Sequence, residues 1–339
     1  MKKLLLHIGY PKTATTTLQE EIFVTLHNQG KINYLGRTIQ STHVGTGRSN
    51  FDGVDWVWDL RRHYNIGKKL EYDNSVLKAD ILNLISDEDL TFHDFLNYAQ
   101  FGKSHNHENL PQWLKNILGS DVEVSIVLTL RNQVDLIFSS YLQKLNFLKF
   151  FIGDYSFTDF LNNKYAYQDR DVKSHLSLYD FNYITNLWQT EFSSKINVMF
   201  FEDLSKDQET FFSELANLLP ASSNELQKLG GKKNHRKRDK SNDYITVRYK
   251  SLSRFSRLIT LFVNKRKFES FFKRRQQREF SLFLKFENRL LFKSVIMKVP
   301  KPTEKEQKFI KDMFHTSNIE FAKENNIDLK KMNKYNYIN

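Results

Sequence analysis

The sequence predicts a three-layer α/β/α fold built on a central parallel sheet of about five strands, because short apolar runs alternate with helical stretches. The clearest apolar runs are residues 4–8, 32–35 and 122–130. A chain of 339 residues with 40% hydrophobic content can bury a large core, which favours one α/β unit over two independent domains. We place this core at residues 1–240 and expect residues 241–339 to form a basic helical extension packed on it.

The segments between the strands indicate where a ligand binds. Residues 37–53 are rich in Gly, Ser, Thr and Asn, which favours an irregular loop. An apolar run over residues 77–86 meets a cluster of acids at residues 87–89. Ligands of parallel sheets lie beyond the carboxyl ends of the strands, so we expect this acidic cluster to share a crevice with the segment after the first strand.

The first strand leads directly into a helix through a loop typical of phosphate binding, Gly9-Tyr10-Pro11-Lys12-Thr13-Ala14-Thr15-Thr16-Thr17. The first N–H groups of such a helix are unpaired, and together with the positive end of the helix dipole they favour an anion. The threonines add hydroxyl donors, and Lys12 adds a mobile positive charge. The alternative interpretation of a Thr-rich turn is a helix N-cap without any ligand.

The position of the lysine distinguishes this loop from the nucleotide-binding motif G-x-x-x-x-G-K-[ST], in which lysine follows the second glycine. Here Ala14 and Thr15 stand at those two positions, and Lys12 comes three residues earlier than the motif requires. The displaced pattern, Pro-Lys-Thr-Ala-Thr-Thr, resembles the 5′-phosphosulfate loop of sulfotransferases that use 3′-phosphoadenosine 5′-phosphosulfate (PAPS). The resemblance implies a fold related to that of P-loop kinases and a 5′-phosphosulfate bound by Lys12, Thr13, Ala14, Thr15, Thr16 and Thr17.

A second motif follows the strand at residues 122–130, where sulfotransferases carry an arginine and, eight residues later, a serine. Arg131 and Ser139 have this spacing, and the resemblance implies that both bind the 3′-phosphate of PAPS. A guanidinium fits phosphate oxygens in pairs, and a helical hydroxyl adds another donor. A kinase has no need of this second phosphate site. The alternative is a structural arginine that pairs with Asp135 one turn later.

The resemblance covers most of residues 1–240, since residues 195–201 and a helical stretch over residues 208–219 look like the last core strand and helix of the family. Two positions depart from the family pattern. Ala14 replaces the usual loop glycine, so a positive φ there carries strain. Gln133 replaces the proline that often follows Asn132, and a helix start tolerates either residue.

Sulfuryl transfer requires a base for the attacking hydroxyl and a cation for the departing phosphate oxygen, and Lys12 suits the second role. The resemblance makes Glu88 the candidate base, because the family often carries a carboxylate or histidine after an early strand. The alternative is that residues 87–89 simply begin a helix. His105 and His107 are other candidate bases, but without a third ligand they do not predict a metal site, and the mechanism requires no metal. We expect His7, inside the first strand, to be a hydrogen-bonded core residue.

The absence of cysteine excludes disulfides, thiolate metal sites and cysteine nucleophiles. The apolar run at the amino end is interrupted by His7 and ends at Pro11-Lys12, which is too short for a signal sequence. No stretch has the apolar length of a transmembrane helix. Together with the resemblance to PAPS-dependent enzymes, this leads us to expect a bacterial cytoplasmic enzyme, at most peripheral at the inner face of the membrane.

Positive charge is concentrated near the carboxyl end. Residues 228–301 hold 23 Lys and Arg against 5 Asp and Glu, which is a net charge of +18. The whole chain has a net charge of +12, so the rest of the chain has a net charge of −6. The run at residues 230–240 lies where sulfotransferases have a basic loop over the cofactor, so the resemblance makes Arg236 a candidate ligand of the 3′-phosphate. A solvated charged face is the alternative.

Between residues 244 and 298, cations are interleaved with phenylalanines at helical spacing. Three explanations fit this pattern: an aromatic face packed on the core, a basic surface for anionic lipid or an acidic or lipid-linked glycan, and a nucleic-acid surface. No recognised nucleic-acid motif supports the third, and we expect no nucleic-acid partner.

These observations and the resemblance together predict a PAPS-dependent O-sulfotransferase that releases adenosine 3′,5′-bisphosphate. The resemblance alone implies that its acceptor is a carbohydrate or other glycan. In the implied mechanism, the acceptor hydroxyl attacks sulfur in line, Lys12 stabilises the departing phosphate oxygen, and Glu88 removes the proton. Two alternatives remain from other classes of protein. One is a P-loop-type kinase that uses ATP, and the other is a basic membrane-surface or nucleic-acid-binding protein with an idle crevice.

Overall fold

The structure, a computed structural model, describes residues 1–10, 12–36, 76–90, 109–152, 156–162, 175–230, 244–250 and 292–338. These ranges include the loop expected to bind phosphate, apart from Pro11. The candidate bases His105 and His107, the candidate phosphate ligand Arg236 and the segment at residues 37–53 lie outside the described residues.

Five parallel strands form the central sheet, in the spatial order β2-β3-β1-β4-β5. Most of their residues are buried, as expected of strands that helices cover on both faces. The predicted parallel sheet is therefore confirmed, with β1 at its centre. The strand bounds are β1 (Lys2–His7), β2 (Ile32–Tyr34), β3 (Leu82–Ser86), β4 (Val122–Leu130) and β5 (Ile196–Phe200).

Helices connect and cover these strands. The first, α1, has three consecutive segments, Thr15–Thr17, the π-helical Leu18–Phe23 and Val24–Asn28. Short 3₁₀ turns occupy Glu88–Leu90 and His175–Tyr179. The other helices are α2 (Leu110–Leu118), α3 (Gln133–Ile152), α4 (Phe157–Leu161), α5 (Phe181–Phe192), α6 (Phe201–Lys206), α7 (Gln208–Ala216), α8 (Ser223–Gly230), α9 (Glu304–Glu324) and α10 (Leu329–Lys334).

Alternate residues of β1 point to opposite faces of the sheet, and each face has its own hydrophobic core. Leu4 and Leu6 belong to a core that includes buried residues of α2, α3, α5 and α9. Leu5 belongs to a second core, which α1, α7 and α8 cover. The sheet is therefore sandwiched between two helical layers, and the predicted α/β/α architecture is confirmed.

The carboxyl-terminal part, which we expected to be a helical extension, also contains strands. Most of the phenylalanines on which that prediction rests, at residues 255–286, lie outside the described residues. The antiparallel strands β6 (Tyr244–Lys250) and β7 (Phe292–Lys298) form a second, two-stranded sheet. Both segments are rich in β-branched and aromatic residues, which favour strands. The helix α9 follows, and its residues Ile310, Phe314 and Phe321 belong to the core that contains Leu4. Within the described ranges, no helix combines the length and apolar character needed to cross a bilayer.

Candidate functional site

The segments that follow β1, β3 and β4 meet at the end of the sheet where the parallel strands finish. The strands β3 and β4 flank β1 on its two sides, so their carboxyl ends adjoin. The backbone N–H of Ile8, just after β1, donates to the Val127 carbonyl of β4 at 3.0 Å. The Asp87 N–H, just after β3, donates to the His7 carbonyl at 3.3 Å. The connection after β1 leads to β2 on one side of the sheet, and the connection after the neighbouring β4 leads to β5 on the other side. Such a reversal is the usual position of ligand sites in open α/β sheets.

The loop after β1 has the shape expected of a tight anion-binding turn. A Cβ atom at Gly9 would lie 2.8 Å from His7 Nε2 and 3.2 Å from Thr15 Cγ2, so glycine is required there. Lys12 and Ala14 have left-handed backbone conformations, with φ of 69° and 62°. The strain expected at Ala14 in place of glycine is therefore present.

The threonines of this loop differ in what they offer a ligand. The Thr13 hydroxyl is buried and donates to the Tyr10 carbonyl at 2.6 Å, which braces the turn. The Thr15 hydroxyl, also buried, donates to the Glu88 carboxylate. Thr16 is exposed and Thr17 is partly exposed. Thr13 and Thr15 therefore use their hydroxyls within the protein, so an anion would meet the backbone N–H groups at the start of α1 and the side chains of later threonines.

Glu88 reaches the loop from the neighbouring strand. It begins the 3₁₀ turn after β3 instead of the first turn of an α-helix, and its Oε1 atom accepts the hydrogen bond of Thr15 across 73 residues of sequence. Glu88 of the acid cluster and the phosphate loop are therefore in contact, as their expected proximity required. The adjacent Asp87 is 1% exposed and faces the interior.

Arg131 joins the two predicted motifs. Its Nη1 atom donates to the Lys12 carbonyl at 3.1 Å, although the two residues are 119 positions apart. The guanidinium carbon lies 4.9 Å from the centre of the Phe201 ring, a cation–π distance. Within the described residues, its buried Nε atom has no hydrogen-bond partner, and Arg131 forms no ion pair with Asp135. The structural alternative of an Arg131–Asp135 pair is therefore absent from this part of the chain.

Ser139, the second predicted ligand of the 3′-phosphate, lies two turns into α3 and is partly exposed. The described contacts do not join it to Arg131 or to the phosphate loop. The structure therefore brings Lys12, Thr15, Glu88 and Arg131 together, whereas Ser139 is placed only on the helix that follows Arg131.

Beneath the loop, His7 is a buried core residue, as the sequence predicted. Its Nδ1 lies 2.7 Å from Ser86 Oγ, and its Nε2 lies 3.1 Å from Thr129 Oγ1. Burial lowers the pKa of His7 to about 4, so the ring is neutral near pH 7. These contacts join the ends of β1, β3 and β4 directly under the crevice.

Sequence reasoning missed a second group of polar residues, which lies at the carboxyl end of β5. Glu202 is 8% exposed, and its Oε1 accepts the backbone N–H of Asn132 at 2.9 Å. The pKa of Glu202 is raised overall, because the effect of burial is larger than the opposing effect of the hydrogen bonds that Glu202 accepts. The available signal was its position directly after a core strand, at the same edge of the sheet as Arg131.

Comparisons with known proteins identify the family of this chain. A family model for the sulfotransferase domain matches residues 2–296. A comparison with curated proteins gives no match. Among solved structures, the chain is similar to a sulfotransferase from Alicyclobacillus acidocaldarius, with 15% identity and a TM-score of 0.40 over 65% of this chain and 81% of that chain. Because the family match spans most of its length, this chain belongs to the sulfotransferase domain family, whose reaction is sulfuryl transfer.

Proposed function

We propose that this protein is a PAPS-dependent O-sulfotransferase that acts on a hydroxyl group of a carbohydrate or other glycan. The observation that carries the proposal is the hydrogen bond between Arg131 and the carbonyl of Lys12. It places a guanidinium, which suits the 3′-phosphate, beside a loop that suits the 5′-phosphosulfate. PAPS carries these two anionic groups on one nucleoside.

The residues present fit such a donor. The left-handed Lys12 and Ala14 lead into the amino end of α1, whose first segment contains no acidic residue of its own; the nearby Glu88 carboxylate is held by the Thr15 hydroxyl. Arg131 has donor capacity left after its contact with Lys12, because a guanidinium carries five N–H donors and this contact uses one of them. We assign the 5′-phosphosulfate to residues 12–17 and the 3′-phosphate to Arg131 and Ser139.

PAPS, when bound, supplies the sulfuryl group and a phosphate leaving group. The Lys12 side chain is exposed and places an ammonium group to offset the negative charge that develops on the departing oxygen. Glu88, which reaches Thr15 at the start of α1 from the 3₁₀ turn after β3, accepts the proton of the acceptor hydroxyl. This step requires Glu88 to exchange the hydrogen bond of Thr15 for that of the acceptor.

A carbohydrate acceptor follows from the family resemblance, and a carboxylate base suits a weakly acidic sugar hydroxyl. A cytoplasmic location and contact between the basic carboxyl-terminal part and anionic lipid are further parts of this proposal. Arg236, which lies outside the described residues, is a further candidate ligand of the 3′-phosphate.

Calorimetric titration with adenosine 3′,5′-bisphosphate tests the proposal. Loss of Arg131 in Arg131→Ala removes charge-assisted hydrogen bonds worth about 1.5–3 kcal/mol, so we expect the affinity to fall about tenfold to a hundredfold. Lys12→Ala should weaken binding similarly. The matched control is Lys3→Ala. Lys3 is exposed near the start of β1, at the opposite end of the strand from the phosphate loop, so this substitution should leave binding unchanged.

The wild-type protein provides the decisive result. If the folded protein binds ATP with Mg²⁺ but not adenosine 3′,5′-bisphosphate, the PAPS proposal is wrong. If it binds the bisphosphate, transfer of labelled sulfate from PAPS to a panel of glycans identifies the acceptor. In that assay, Glu88→Gln should lower kcat more than it raises KM for PAPS, because the substitution removes the base and leaves the donor site intact.

A further inference from the structure

The carboxyl-terminal tail of the described chain, residues 335–338, lies against the turn that carries Arg131. Tyr335 and Tyr337 are buried, and their rings lie 6.1 and 5.4 Å from that of Phe200 at the end of β5. The Asn132 side-chain amide donates to the Tyr335 carbonyl at 3.1 Å and also to the Asn336 carbonyl. The tail therefore contacts the residue next to the proposed phosphate ligand.

Glu202 connects this turn to the tail. One carboxylate oxygen accepts the Asn132 backbone N–H, and the other accepts the Tyr337 hydroxyl, both at 2.9 Å. The Asn132 side-chain oxygen in turn accepts the Val134 N–H at 3.0 Å, which caps the start of α3. Asn132 is thus held through its backbone nitrogen and through both polar atoms of its side chain.

The next residue along the chain is held in the same way. The side chains of Gln133 and Asn318 exchange hydrogen bonds of 2.8 and 3.2 Å, and Asn318 also donates to the Tyr337 carbonyl at 2.7 Å. A buried polar network whose members are satisfied fixes one arrangement of the backbone, because any displacement leaves polar groups unpaired in the interior. We define the tail network as Asn132, Gln133, Glu202, Asn318 and Tyr337.

We propose that Glu202 and Tyr337 are positioning residues for the donor: they hold the backbone of Asn132 so that the preceding Arg131 points towards the phosphate loop. Phe201 lies under the Arg131 guanidinium and is adjacent to Glu202, so one short segment supports both the side chain and the backbone of the turn. This inference rests on the proposed function, because it assigns the purpose of the network to binding of the 3′-phosphate.

The test measures how much the 3′-phosphate adds to affinity. Calorimetry gives one dissociation constant for adenosine 5′-monophosphate and one for adenosine 3′,5′-bisphosphate. The first constant divided by the second is the gain in affinity that the 3′-phosphate provides. In Glu202→Ala the Asn132 N–H loses its acceptor, so we expect the ratio to fall about tenfold while the affinity for the monophosphate is unchanged. Glu202→Gln keeps one acceptor oxygen and should restore most of the ratio. Tyr337→Phe should lower it about threefold.

Tyr335→Phe is the matched control. It removes a tyrosine hydroxyl from the same tail, but that hydroxyl donates to Asp203 at 2.5 Å and touches no member of the tail network. We expect it to lower the melting temperature and leave the ratio at the wild-type value.

The outcomes separate the two proposals. If Glu202→Ala and Tyr337→Phe lower the melting temperature but keep the wild-type ratio, the network is merely structural and the inference is wrong. If Glu202→Ala does not fold, Tyr337→Phe decides, because it removes a single hydroxyl. If the wild-type protein binds neither the bisphosphate nor PAPS, the proposed function fails, and the inference fails with it.

Discussion

The buried His7 should make stability depend on pH between about 4 and 6.5. Its pKa is about 4 in the folded protein, compared with 6.5 for an unperturbed histidine, so the unfolded chain binds the proton first. The contribution of the neutral ring is complete above pH 6.5 and is lost as the pH falls towards 4. Because both ring nitrogens are engaged by Ser86 and Thr129, an added proton would break at least one buried contact.

The magnitude follows from the two pKa values of His7. A complete loss over the 2.5-unit difference would be about 3 kcal/mol, and between pH 8 and pH 5 the expected loss is about 2 kcal/mol. Other groups also titrate in this range, and the raised pKa of Glu202 opposes the effect because its acid form is favoured in the fold. The contribution of His7 is therefore defined by comparison with a variant that cannot bind this proton.

Urea unfolding of the wild type and His7→Asn at pH 8, 7, 6 and 5 measures this difference. We expect the variant to be less stable at pH 8, because it loses part of the hydrogen bonding to Ser86 and Thr129. The free-energy gap between the two proteins should then shrink by about 2 kcal/mol by pH 5. A gap that stays constant across this range would refute the assignment of His7 as a buried neutral ring. His7→Gln serves as a second variant if His7→Asn does not fold.

Three further predictions concern stability and are measured by the same unfolding assay. Ala14→Gly should stabilise the protein by about 0.5–1 kcal/mol, because glycine adopts the left-handed conformation of this position without strain. The matched control is Ala216→Gly. Ala216 is partly buried against the same core but ends a helix, so this substitution should destabilise the protein by about 1 kcal/mol. If both substitutions changed the free energy of unfolding in the same direction, the strain assigned to Ala14 would be contradicted. Gly9→Ala should cost about 1–3 kcal/mol, because the new methyl group would lie 2.8 Å from His7 Nε2; an unchanged midpoint would show that the loop yields freely. Lys31→Met should cost less than about 1 kcal/mol, since its ion pair with Glu225 is partly exposed, and a larger loss would mean that solvent screening is overestimated.

Much of the fold was predictable because each core strand is a compact apolar run. The predicted strand at residues 122–130 has those bounds in the structure, and that at residues 32–35 differs by one residue. The error came in the carboxyl-terminal part, where β6 and β7 replace predicted helix. The phenylalanines at helical spacing, residues 255–286, lie outside the described residues. The strands on either side of them pair across more than 40 residues, which local periodicity cannot reveal.

The site was predictable to the extent that its residues follow strand ends. Lys12, Glu88 and Arg131 each come directly after a parallel strand or within a few residues of one, so a shared edge of the sheet brings them together. The use of the Thr13 and Thr15 hydroxyls inside the protein was not predictable, because side-chain direction within a turn depends on what packs beside it. The tail network was also missed, since Tyr337 meets Glu202 across 135 residues and no motif marks either one.

The sequence by itself determined the local chemistry of this protein: a strand that turns sharply at Gly9 into a helix, a lysine displaced from the nucleotide-binding position, and an arginine at the end of another apolar strand. These features depend on interactions among a few neighbouring residues. Only the tertiary structure decided that Arg131 lies against Lys12, that Glu88 bonds to Thr15, and that the tail supports the arginine turn. Such pairings depend on which strands lie side by side and on buried polar groups that must find partners over long separations.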